Sequence, residues 1–180
     1  MSNGIEDLRK LDEEAARLVA TTLALTEGGH FEETLPLIDG VDHIITNLRT
    51  SIERLRSSGA MTRREAAVHL KDLEVKRAHN DTRRAVSLRG LGRNSEAKAV
   101  YRDLLTRTHL PDLNAFSTML NLATLHGDQG EKRQAWEAFR QAERYHERMG
   151  GIQGAPQLID HIRGQLTRKL GQPPKRRRRK

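Results

Sequence analysis

The chain has 180 residues, a formal net charge of +8 and no cysteine, so disulfides and thiolate metal sites are excluded and a reducing compartment suits it. Aromatic residues make up only 3% of it, which disfavours sandwiches and barrels, whose strands draw on β-branched and aromatic side chains; an all-α fold is predicted. No apolar run approaches the roughly 18 residues a membrane helix needs, so no membrane insertion is expected.

The acidic, amphipathic opening MSNGIEDLRKLDEEAARL does not fit a secretory signal and points to a cytoplasmic protein. A first helix runs through LVATTLALTEGG into its glycines. FEETLPLIDGVDHIITNLRTSIERLRSSG reads as a long second helix stopped at Gly59, with Pro36 near the first turn, where a missing donor costs least. Thr62 and Glu65 form a capping-box pattern. From there neither proline nor glycine interrupts the chain before Gly90, so one long third helix is expected. Shorter helices follow in GRNSEAKAVYRDLL, MLNLATLHGDQG and GEKRQAWEAFRQA, and a last amphipathic one in PQLIDHIRGQLTRKL. That makes about seven. The closing GQPPKRRRRK is too charged and too poor in apolar residues to fold, so residues 171–180 are expected to be a disordered basic tail.

The helices repeat. Glycine, then a small residue five positions on, an apolar residue at nine and another at twelve, occurs as Gly130, Ala135, Phe139, Ala142. It recurs as Gly92, Ala97, Tyr101, Leu104, and as Gly29, Thr34, Ile38, Val41. This spacing resembles the tetratricopeptide repeat, a helix–turn–helix unit, in copies at about 15–48, 78–111 and 116–149. The resemblance implies a right-handed array of antiparallel hairpins spanning residues 1–170, with a capping helix at about 155–170. The copies are irregular: threonines replace apolar residues in the first, and Asp81 and Arg84 stand at apolar positions of the second. Trp136, the only tryptophan, lies between two small core alanines; core packing is expected of it, with a ligand platform as the alternative.

In that family partners bind a concave face lined by the first helix of each repeat. Carried over, the face is His79, Thr82, Arg83, Val86 and Arg89 in copy two and Ser117, Leu120, Asn121, Thr124 and Asp128 in copy three, with Ala16, Val19, Ala20, Leu23 and Glu27 in copy one. Asn121 would hold a peptide backbone, and Arg83 and Arg89 acidic groups. The lysine and asparagine set of members that grip chaperone tails is missing from copy one.

Charge is uneven along the chain. Residues 1–53 carry a net −7, residues 54–107 a net +8, residues 108–174 a net +1, and the hexapeptide Lys175, Arg176, Arg177, Arg178, Arg179, Lys180 adds six cations. That tail would bind polyanions by counterion release or serve as a nuclear-localisation segment in a cell with a nucleus. The opposite signs of the first two stretches would also allow head-to-tail association into a homodimer. Asp39, Asp42 and His43 share a helix face but lack a second ligand cluster, and no nucleophile elbow or phosphate loop occurs. The function expected is therefore a non-catalytic adaptor, scaffold or peptide-binding chaperone without cofactor or metal. The alternative is a nucleic-acid-associated protein that binds through its tail and basic middle helix.

Overall fold

A computed structural model of the chain describes residues 2–107, 110–151 and 153–174, with side chains from residue 6 onward. Among the described residues the fold is all-α. Its helices are α1 (Ser2–Glu27), α2 (Phe31–Ser57), α3 (Arg63–Gly90), α4 (Asn94–Thr106), α5 (Asp112–Asp128), α6 (Lys132–Arg148) and α7 (Ala155–Leu170). The chain divides into two compact units, Met1–Val100 and Tyr101–Lys180, the division falling inside α4.

The glycines that anchor the repeated pattern do one job. Gly29, Gly92 and Gly130 have φ of 79°, 74° and 72°, the left-handed region where a Cβ would be strained. In each case the next residue's N–H donates to the carbonyl five residues back: His30 to Leu25 at 2.8 Å, Arg93 to Leu88 at 2.8 Å, Glu131 to His126 at 2.9 Å. The last helical carbonyls are thereby satisfied. Gly150 ends α6 similarly, with Gly151 N–H donating to His146 O, so this closure marks helix ends in general. More specific is the burial at the repeated offsets: Thr34, Ile38, Val41, Ala97, Tyr101, Leu104, Ala135, Phe139 and Ala142 are all at most 2% exposed.

In unit 1, α1, α2 and α3 pack side by side. Val41, Ile44, Ile45, Leu48 and Ile52 of α2 meet Ala15 of α1 and Ala66 and Leu73 of α3. The threonines that break the apolar pattern are accommodated by their own helices. The Thr22 and Thr34 hydroxyls, both fully buried, donate to the carbonyls of Val19 and His30 at 2.8 Å, so no donor is stranded. Phe31 lies over the end of α3, where a Cβ on Gly90 would come within 2.2 Å of its ring. Only glycine permits that approach.

The long α3 begins as its sequence signals. Glu65 N–H donates to the Thr62 hydroxyl at 3.2 Å, and Thr62 N–H donates to the Glu65 carboxylate at 2.9 Å. The Thr62 hydroxyl and amide hold the Glu65 carboxyl below its ordinary pKa. A depressed folded pKa means the box stabilises fully above the unfolded carboxylate value and is lost as pH falls through the folded one. Acidification below the ordinary carboxylate range should therefore fray the first turn of α3 before the rest, seen as faster amide exchange at Glu65 and Ala66 than at Leu73.

In unit 2, α5 and α6 form a hairpin and α7 lies against both. Trp136 is 2% exposed and meets Phe139 edge-on, ring centroids 5.6 Å apart at 88°, so it packs in the core. A Cβ on Gly127 would come within 2.6 Å of a Leu166 methyl, which sets the approach of α7 to α5. Lys169 pairs with Asp128 and Arg163 with Glu143 across helices. No helix among the described residues is long and apolar enough to cross a membrane. Lys175–Lys180, the cationic part of the expected tail, lies outside the described residues.

Candidate functional site

Arg84, a charged residue at an apolar repeat position, and the buried Asn80 tie α3 to α2. Asn80, fully buried, donates its amide to Ile38 O at 2.9 Å and to Asp42 Oδ1 at 2.8 Å. Arg84 donates to Asp39 Oδ1 and Asp42 Oδ2, both at 2.7 Å. Burial lowers the Arg84 pKa, but its bonds to the two carboxylates outweigh that and raise it. Arg49 and Glu74 pair further along the same seam. Asp39 and Asp42 are thus partners of one guanidinium, while His43 stands exposed; among the described residues no group of three or more side chains could hold a metal ion. The opposite charges of the first and middle stretches meet within unit 1, through Lys76–Asp12 and Arg84–Asp39/Asp42.

The expected groove residues of copy two lie on α3. His79 and Arg83 are one turn apart on one face, and Arg89 is half-buried near the helix end. Burial lowers the Arg83 pKa and nothing raises it; among the described residues no carboxylate pairs with this half-buried guanidinium. Desolvation, and then the Arg83 charge, hold His79 below its ordinary value. Arg83→Gln should therefore raise the His79 pKa while leaving it below the unperturbed value, because desolvation is the larger cause; an NMR titration of the ring protons reads this. Since the folded value is depressed, His79 favours folding above the unfolded histidine pKa, and that contribution is lost as pH falls through the folded value. On α5 in unit 2, Ser117, Asn121 and Thr124 follow one face and are half-buried, whereas Leu120, expected beside them, is buried in the core. Thr124 spends its hydroxyl on Leu120 O at 2.9 Å.

The face that carries His79 and Arg83 continues toward the start of α3. Glu65, His69, Asp72, Lys76, His79 and Arg83 are spaced 4, 3, 4, 3, 4, a single helical stripe. Its first four residues border a cavity of about 470 Å³ that lies entirely within unit 1. Leu48 and Ile52 of α2 line it, with Leu8 of α1, Leu73 of α3 and Met61 from the connection; Arg9 and Asp12 border it on the α1 side.

Most of the charge at its border is internally matched. Lys76 Nζ donates to Asp12 at 2.5 Å and to Asp72 at 3.0 Å, Glu65 is held by the capping box, and Arg9 donates to Glu6 at 2.8 Å. What the cavity offers a visitor is apolar surface inside a polar border, the usual make-up of a binding site.

The expected groove residues His79 and Arg83 lie on the same stripe, further along α3 than the residues that border the cavity. Residues 49–57 of α2 and 63–77 of α3 fall outside the repeat unit, so a reading confined to repeat positions passes over them. The unbroken 4-3 stripe from Glu65 to Arg83 was the available signal. No family profile, curated protein or solved structure matches the chain.

Proposed function

We propose that the chain is a non-catalytic protein-interaction module, an adaptor or peptide-binding chaperone of tetratricopeptide-like design. Its unit 1 cavity takes apolar side chains of a partner segment. The observation that carries this reading is the 470 Å³ cavity, apolar inside and edged by charges that already pair with one another. Such a site gains from burying apolar groups, at about 25 cal/mol per Å², without stripping water from unpaired ions. Arg83, further along the same stripe and without a carboxylate partner, would add a preference for an acidic residue beyond the apolar anchors.

The test is selection of displayed random peptides on the full chain. Winning peptides should carry two or more apolar anchors. They should lose at least about tenfold in affinity when Ala60→Trp fills the cavity, a change of about 1.4 kcal/mol, and keep their affinity when Ala67→Trp adds the same bulk away from it. Equal binding by both variants contradicts the reading. The alternative, a nucleic-acid-associated protein, rests on the cations of Lys175–Lys180. The middle helix supports it less, because Lys76 and Arg84 are already committed to carboxylates.

A further inference from the structure

The border of the unit 1 cavity proves acidic once its ion pairs are followed outward. Lys76 is one cation between two carboxylates, Asp12 at 2.5 Å and Asp72 at 3.0 Å. Arg9 likewise stands between Glu6 at 2.8 Å and Glu13 at 3.9 Å. Glu65 is held by the amide and hydroxyl of Thr62, both neutral. Among the described residues, the charged side chains that line the cavity or ion-pair with its lining are therefore two cations against five carboxylates. The side chains of Asp12, Glu13 and Asp72 are more than half exposed, so a visiting cation can feel this excess without being buried.

The floor decides what kind of backbone can lie over it. Leu48 and Ile52, one turn apart on α2, and Leu73 of α3 offer a visiting chain no hydrogen bond. In the connection beside them, Met61 N–H already donates to Leu55 O at 3.1 Å and Thr62 N–H to the Glu65 carboxylate at 2.9 Å. An extended segment would press unpaired amides and carbonyls against this floor, a desolvation loss for each. A helix satisfies its backbone internally and presents side chains alone. Bordered by α1 and α3 and lined by α2, the cavity would take one as a fourth helix.

Resting on the reading of this cavity as a partner site, we infer that its occupant is a basic amphipathic helix. Its apolar anchors, one turn apart, enter the cavity, and lysines or arginines beside them lie over Asp12, Glu13, Glu65 and Asp72. Arg83, two turns beyond Lys76, lies outside this border, so its preference for an acidic residue concerns the far end of the same segment.

Three synthetic peptides with identical leucines are titrated against the full chain: one with lysines on its polar face, one with glutamates in their place, and the lysine peptide with a central proline. The lysine peptide should bind at least about tenfold tighter than the glutamate peptide at low salt. That gap should close as ionic strength rises, and helical circular dichroism should increase on binding. Glu65→Gln with Asp72→Asn should narrow the gap by about threefold or more, the glutamine being able to keep the capping box. Glu137→Gln with Glu147→Gln, exposed carboxylates of unit 2, should leave it unchanged. Equal or tighter binding of the glutamate peptide overturns the inference; if that binding still falls with Ala60→Trp, the cavity stands as a partner site of different charge preference. A proline peptide bound as tightly as its parent overturns the helix and identifies an extended occupant. Self-association of the chain that Ala60→Trp abolishes identifies a second copy instead. Lysine-peptide binding untouched by Ala60→Trp removes the cavity reading and this inference together.

Discussion

Phe139→Ala is expected to destabilise unit 2 by about 4 kcal/mol, within the usual range for a buried phenylalanine. The ring is 2% exposed, meets Trp136 edge-on and carries the Arg163 guanidinium 5.5 Å from its centroid. Truncation would remove three things together: apolar burial, the aromatic contact and the surface on which Arg163 rests before reaching Glu143. Against a total stability of about 5–15 kcal/mol for a typical domain, the loss is a large fraction, and the denaturant midpoint of unit 2 should fall markedly. Trp136 fluorescence reports that unit selectively. Phe139→Leu, which keeps most of the volume, should cost about 1.5 kcal/mol or less. A Phe139→Ala cost below that would mean the ring is not packed as described.

Asp42→Ala should cost unit 1 about 2–3 kcal/mol, the second largest effect. One carboxylate accepts from Asn80 at 2.8 Å and from Arg84 at 2.7 Å. Hydrogen bonds to charged groups contribute about 1.5–3 kcal/mol each, but the Asp42 side chain is 31% exposed, so solvent screening keeps the sum near the lower figure. The buried Asn80 amide would keep only its bond to Ile38 O. In a double-mutant cycle Asp42→Ala and Arg84→Ala should couple, while Arg84→Ala alone should cost less because Asn80 keeps its carboxylate partner. Additive losses would show that the seam is two independent contacts.

Why some of this was legible in the sequence and some was not follows from particular residues. Helix ends were legible, because Gly29, Gly92 and Gly130 need a conformation other residues avoid and Thr62–Glu65 is a local pattern with one geometric solution. Inward positions were legible as well, because alanine and aromatic residues at fixed offsets can share one helix face only by facing a core. The buried polar residues were not. Arg84 stands at an apolar repeat position and Asn80 is a buried amide, and their reason lies 38 to 45 residues earlier at Ile38, Asp39 and Asp42. No local window holds both halves of such a seam. The unit 1 cavity was out of reach for the same cause, since Leu8, Ile52 and Leu73 come from three helices and meet only through packing.

The most direct test of the central claim is methyl NMR of the full chain, with and without a selected apolar-anchored peptide. If α1 and α3 border a partner site lined by α2, the largest shifts should fall on Leu8, Leu48, Ile52, Met61 and Leu73, with smaller ones at Val86 near Arg83. Bound peptide that leaves these five methyls unmoved and shifts others would place the partner elsewhere and contradict the account.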